Sequence, residues 1–155
     1  MRAFFAAEGA QNIMTLLTSA AGNLAIGNYL NVVGYSETGL GMLGQLSSAN
    51  PPPSPEVALQ ARAMVADLNF MRGFAQCNLR KYAEAEKSYS DGIDADPDFT
   101  LLYLLRAEAC LKQQNQDGAG EDLAAVQQSR LGSVFAPDLA AAQAGKLSCE
   151  TLLEP

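Results

Sequence analysis

The feature that most constrains the fold of this chain is an internal repeat with a period of 34 residues. Residues 66 to 99 align with residues 100 to 133 without a gap. Four positions are identical in the two copies: Leu68 and Leu102, Arg72 and Arg106, Ala75 and Ala109, and Ala85 and Ala119. A repeated helical hairpin of this length cannot bury its apolar face alone, so neighbouring copies are expected to stack on each other.

The residues between the apolar stretches predict helices throughout the chain. Ser54-Pro55-Glu56 combines an N-cap, a proline for the first helical position and an acidic first turn, and Asp96-Pro97-Asp98 and Ala136-Pro137-Asp138 resemble it. β-branched residues are sparse and no long alternating run is present, so strands are not expected. The predicted helices are 2–26, 29–46, 55–79, 82–94, 97–114, 116–129 and 137–146, with a proline-rich linker over 47–54.

One segment, LNFMRGFAQCNLRKYAEAEKSYSDGIDADPDF from Leu68 to Phe99, resembles the tetratricopeptide repeat family, which has this period. Gly73 matches the small residue of the family's first helix, and Tyr82 opens the second helix. The matching stripe of the second helix and the start of the next unit are Ala85, Tyr89, Gly92 and Pro97. Asn69 and Gln76 depart from the family's aromatic residues, and the second copy ends at Leu131 rather than at a proline.

A fainter copy from Ile13 to Leu46 precedes the second unit by 53 residues instead of 34, so 19 extra residues lie between them. We expect these residues to lengthen the first helix of the second unit. The resemblance implies an all-α fold, a short right-handed α-solenoid of about three tetratricopeptide-like hairpins in a single domain, 1–155. Its units are 13–46, 66–99 and 100–133, followed by a capping helix, 137–146. An ordinary helical bundle with a chance period is the alternative.

Charge is distributed unevenly along the chain. Residues 1 to 55 contain only Arg2, Glu8 and Glu37, whereas the remainder contains 15 carboxylates and nine basic side chains. The uncharged run from Gly9 to Ser36 is long enough for a membrane span, but its five amide side chains disfavour a lipid-facing helix. We therefore expect no membrane span. We expect instead a pair of helices whose apolar surface is covered on more than one side. A homo-oligomer formed through residues 1–46 is one way of covering this surface.

Composition excludes several function classes. The chain has no histidine, which removes Ser-His-Asp and Cys-His catalysis and histidine-ligated zinc. A net charge of -7 without a basic run disfavours nucleic-acid binding. No cluster of acid, base and nucleophile stands out, so we predict no enzyme and no cofactor.

Three further patterns are best explained structurally. Gly39 to Gly44 spells GxGxxG without a preceding strand, and close helix packing explains its glycines better than nucleotide binding. Asp94 to Asp98 lacks the glycine and glutamate of a calcium loop and is attributed to helix capping. The cysteines form no CxxC, which indicates reduced thiols in a cytoplasmic protein. We also expect no signal peptide. Cys77 and Cys110 are expected to be buried near each other, and Cys149 is expected to be exposed.

The resemblance also implies where a partner would bind, because the first helix of each unit lines the concave face in this family. The positions transferred by the motif match are Leu17, Leu24, Asp67, Phe70, Phe74, Asn78, Leu101, Leu104, Glu108 and Lys112, with Met14, Ala21 and Ala25 on the same face. Most of them are apolar. The carboxylate-binding pattern of chaperone-associated members is rejected, since its places carry Leu17, Ala21, Met71, Leu101 and Leu105.

Two functions remain consistent with the sequence. The first is a non-catalytic interaction module that binds a partner peptide in the apolar groove, either as an amphipathic helix or as an extended apolar segment. The second is a constitutive structural or regulatory subunit whose charge-poor first third is buried against another chain or domain. The chain's own tail filling the groove is a third way to cover the apolar face.

Overall fold

The computed structural model describes residues 2 to 149 and, within that range, contains seven α-helices and no strand. The helices are α1 (Arg2–Ala25), α2 (Tyr29–Ser47), α3 (Pro55–Asn78), α4 (Tyr82–Ala95), α5 (Thr100–Lys112), α6 (Gln116–Gln128) and α7 (Ala136–Gln143). The prediction of an all-α chain is confirmed. α3 has 24 residues against 13 in α5, as expected if the extra residues lengthen the first helix of the second unit.

Local sequence explains where the helices begin. Ser54 caps α3 as predicted, because its side-chain oxygen accepts a hydrogen bond from the backbone N–H of Val57 at 3.3 Å and proline follows it. The aspartates before α5 act differently. The N–H of Asp98 donates to the Asp96 carboxylate at 3.1 Å, which forms a turn. α5 therefore begins at Thr100 instead of residue 97. At the other end of the chain, α7 ends at Gln143 instead of residue 146.

The helices pack mainly in chain order. Each of α1 to α6 contacts the next helix, and α1 contacts α3 while α3 contacts α5. α7 lies against both α5 and α6. Every helix-to-helix contact in the described part of the chain is therefore between elements no more than two apart in sequence.

Close glycine contacts recur at the predicted repeat positions. A Cβ added to Gly92 would lie 2.8 Å from Cδ1 of Leu102, so a larger residue there would separate α4 from α5. A Cβ added to Gly39 would lie 2.8 Å from Cδ1 of Leu68. Leu68 and Leu102 occupy the same place in the 34-residue frame. The faint first copy thus contacts the second copy through the same pair of positions that joins the second to the third.

Two arginines at equivalent repeat positions link the helices of their hairpins. Arg72 donates from Nε to the Ser88 hydroxyl at 2.9 Å. Arg106 donates to both carboxylate oxygens of Asp122, at 2.9 and 2.7 Å. Ser88 and Asp122 are 34 residues apart, so the same cross-helix contact is made once by a hydroxyl and once by a buried carboxylate.

The charge-poor hairpin of α1 and α2 is covered by its own chain on only one side. Its inner face packs on α3 through residues such as Ile13, Val32 and Leu43. On its outer surface, Ile26 is 77% exposed and Leu30 is 69% exposed. The expected second cover therefore does not come from the described part of the chain. None of the helices in residues 2–149 has the length and apolar character needed to cross a membrane.

Candidate functional site

A groove with a volume of about 800 Å³ lies between α1 and α3. Six of the ten predicted partner-facing residues line it together: Leu17, Leu24, Asp67, Phe70, Phe74 and Asn78. Met14, Ala21 and Ala25 line it as well. These residues come from two segments about 50 positions apart, so the fold brings predicted partner-facing residues of two helices together in one groove.

Aromatic side chains form the floor of the groove. The ring centroids of Phe70 and Phe74 are 6.3 Å apart, and those of Phe70 and Phe99 are 5.9 Å apart. Phe74 is only 5% exposed and also packs in the core with Tyr89. A polar substitution at Phe74 would therefore unfold the protein as well as change the groove, whereas Met14, at 49% exposure, is accessible.

The rim of the groove carries one acidic group. The pKa of Asp67 is raised above its ordinary value of 3.8, first by burial and second by the charge of Asp96. The side-chain amide of Asn78 is partly used by its own helix, because it donates to the carbonyl of Phe74 at 2.9 Å. Among the described residues, no lysine or arginine lines the groove. The groove is therefore apolar apart from one carboxylate, and a cationic group of a ligand would stabilise the ionised form of that carboxylate.

The other four predicted residues do not line this groove. Leu104 is buried in a cluster with Val126, Ala142 and Leu147, and Leu101 packs at its edge. Glu108 and Lys112 line a separate polar cleft. Glu108 accepts a hydrogen bond from the backbone N–H of Cys149. In this structure Leu104 and Glu108 are therefore closed to a partner by the chain's own tail.

The cysteines differ from the expectation. Cys77 forms a disulfide with Cys149, with their Cα atoms 6.3 Å apart. The prediction of an exposed Cys149 is wrong, since it is buried, and so is the prediction of a free Cys77 thiol. Cys110 is the free cysteine, and burial, followed by the charges of Glu86 and Asp122, raises the pKa of its thiol to about 11.

The glycine motif lies inside a helix. Gly39, Gly41 and Gly44 all belong to α2 rather than to a turn between a strand and a helix. Among the described residues, close packing explains Gly39, whereas a Cβ on Gly41 or Gly44 would meet none of their atoms within 4 Å outside the neighbouring backbone. Within that part of the chain, the helix-packing interpretation therefore accounts for one of the three glycines.

Four residues that line the groove are not among the partner-facing positions predicted from sequence. Tyr29 comes from the start of α2, Thr18 from the exposed face of α1, Met71 from α3 and Cys149 from the tail. Helical spacing alone could have found Thr18, which is one turn after Met14.

Comparison of the chain with protein-family models, curated proteins and solved structures found no match.

Proposed function

We propose that this protein is a short tetratricopeptide-type solenoid that binds an amphipathic helix of a partner protein in the groove between α1 and α3. The observation that carries this proposal is the convergence of Leu17 and Leu24 from α1 with Phe70 and Phe74 from α3 in one apolar groove. The resemblance to the tetratricopeptide repeat family implies these positions, without knowledge of any contact. Binding, rather than catalysis, accounts for their largely apolar character.

The solenoid arrangement is supported by repeated contacts. Gly39 meets Leu68 as Gly92 meets Leu102, and the first helices of consecutive hairpins touch each other. In such an array the first helices lie side by side and form a continuous inner face. The groove between α1 and α3 corresponds to this inner face over the first two units.

A helix with an apolar face and one basic residue is the occupant that best fits the groove. Two flanking helices and a floor of aromatic rings suit apolar anchors at helical spacing. Asp67 offers an exposed carboxylate at the rim, and partial burial and the nearby charge of Asp96 raise its pKa. A lysine or arginine from the partner would stabilise the ionised form of that carboxylate, and the chain's net charge of -7 would attract a basic helix.

The test uses synthetic amphipathic helices selected by display on the intact protein. Peptides are then measured against Met14→Lys and, as the matched control, against Leu59→Lys. Leu59 is 69% exposed on α3 but does not line the groove. We expect Met14→Lys to weaken binding by at least about tenfold, or about 1.4 kcal/mol, and Leu59→Lys to leave it unchanged. Equal affinity for both variants would refute the groove as the binding site.

A structural subunit is the second candidate, and the exposed face of the first hairpin favours it. Ile26 and Leu30 are largely exposed, and Glu37 is the only charged residue between Gly9 and Pro55. Light scattering after size exclusion tests whether this face pairs two copies of the chain. Concentration-dependent dimerisation that Leu30→Lys abolishes would support the subunit role, whereas a monomer at all concentrations would contradict self-association.

A further inference from the structure

Three buried side chains that offer metal ligands meet at one point outside the groove floor. Cys77 comes from α3, Glu108 from α5 and Cys149 from the tail that follows α7. The two sulfur atoms and a carboxylate oxygen all lie within 4.8 Å of one another. Distant parts of the sequence are thus brought together to present two thiols and one carboxylate.

A disulfide alone does not account for this arrangement, because it requires two sulfur atoms and no carboxylate. We propose that, in the reduced chain, Cys77, Cys149 and Glu108 bind a thiophilic divalent cation, Zn²⁺, with water in the fourth position. Thiolate and carboxylate are both zinc ligands, and three protein ligands plus water complete a tetrahedral site. A dication also offsets the burial of negative charge, which is unfavourable for the two thiolates and the carboxylate without it.

The disulfide and the metal site are alternative states of the same cysteine pair. A dithiol or phosphine reductant supplies two electrons, two protons complete the thiols, and the reductant is oxidised. Binding of Zn²⁺ then releases both thiol protons and forms two Zn–S bonds without any change in the oxidation state of zinc. A small-molecule disulfide can reverse the change: it accepts two electrons and leaves as two thiolates, while the Cys77 and Cys149 sulfurs form their S–S bond, both Zn–S bonds break and the ion is released.

The surroundings provide an entry path and support for the ligands. A polar cleft of about 230 Å³ reaches Cys77, Glu108 and Cys149, and its lining includes the exposed side chains of Arg80 and Lys112. This cleft admits the ion and supplies the water ligand. The carboxylate of Glu108 also accepts the N–H of Cys149, as is common for carboxylates that bind metals.

Metal binding would fasten the tail to α3 and α5 under conditions in which the disulfide cannot form. The tail carries Leu147, which is buried against Leu104 on α5. The same segment would therefore be held in place in both oxidising and reducing surroundings. Cys149 also lines the groove, but this inference does not rest on partner binding, since it concerns the reduced chain and the metal ion alone.

The experiment titrates the reduced, full-length protein with Zn²⁺ in competition with a chromogenic chelator, using a phosphine reductant that does not hold zinc. Co²⁺ serves as a spectroscopic probe, because tetrahedral thiolate ligation gives intense near-ultraviolet charge-transfer absorption. We expect one ion per chain and a thiolate band. Cys110→Ser is the matched control, since Cys110 is a buried free cysteine on the same helix as Glu108, and it should retain both signals.

Variants of the cluster decide the outcome. Cys77→Ser and Cys149→Ser should lose thiolate absorption, and Glu108→Gln should weaken zinc binding by at least about tenfold. In the wild type, zinc should slow alkylation of Cys77 and Cys149 but not of Cys110, a measurement that does not depend on any variant folding. Reduced wild type that binds no zinc, or Glu108→Gln that binds it as tightly as wild type, would overturn the proposal.

Discussion

Replacing Gly73 with alanine tests how the first two helices of the second unit pack. A Cβ at this position would lie 2.5 Å from Cε1 and 2.7 Å from Cδ1 of Tyr89. The Tyr89 ring is fully buried and belongs to the core cluster, so it has little room to move away. Overpacking costs about 1–3 kcal/mol, whereas alanine is favoured over glycine in a helix by about 1 kcal/mol. We expect a net destabilisation of up to about 2 kcal/mol.

The third unit provides a natural repair for this clash. Gly73 corresponds to Ala107 and Tyr89 corresponds to Leu123 in the 34-residue frame. The double variant Gly73→Ala/Tyr89→Leu therefore recreates a pair that the chain already uses. The Tyr89 hydroxyl has no hydrogen-bond partner in the described part of the chain, so leucine removes no such bond there. We expect the double variant to be more stable than the sum of the single changes by about 1 kcal/mol.

Urea unfolding followed by far-ultraviolet circular dichroism measures these free energies. Gly34→Ala is the control, because Gly34 also lies inside a helix but a Cβ there would meet no atom of the described residues within 4 Å. It should be stabilising by up to about 1 kcal/mol. If Gly73→Ala were as stabilising as the control, or if the double variant were strictly additive, the close approach to Tyr89 and the repeat correspondence would both be wrong.

Four further predictions concern covalent and charged groups. Cys149→Ser should lower the oxidised protein's free energy of unfolding by about 4 kcal/mol, because the bond to Cys77 spans 72 positions, and urea unfolding without reductant tests this. Asp122→Asn should cost about 2 kcal/mol, since this carboxylate side chain is 5% exposed and binds its arginine through two hydrogen bonds. Asp91→Asn should cost less than about 1 kcal/mol in the same assay, because Asp91 is 37% exposed. Asp67→Asn should raise the melting temperature at neutral pH but not below the ordinary pKa of 3.8, because a raised pKa means that ionisation of Asp67 disfavours the folded state.

The helices and the first half of the groove were predictable from sequence for physical reasons. Proline and capping residues act locally, so the start of α3 at Pro55 follows directly from Ser54. Helical spacing also determines which residues of one helix share a face, so Leu17 and Leu24 line the groove together from α1, and Phe70 and Phe74 do so from α3. The start of α5 was less certain, because Pro97 can stand in a turn as well as at a helix start.

The tail could not be predicted in the same way. α7 is followed by Gly145, whose φ of +68° starts a turn, and the chain then brings Leu147 and Cys149 back over α5. No periodic pattern specifies this path over so short a segment. The pairing of Cys77 with Cys149 depends on the path, so the spacing of the cysteines gave no sign of it.

The position of α7 and the tail also closes one side of the α5–α6 pair. Leu139, Ala142 and Leu147 occupy the apolar surface of these two helices. Another helix, whether from the same chain or from a partner, could pack on that surface only if α7 and the tail first moved away.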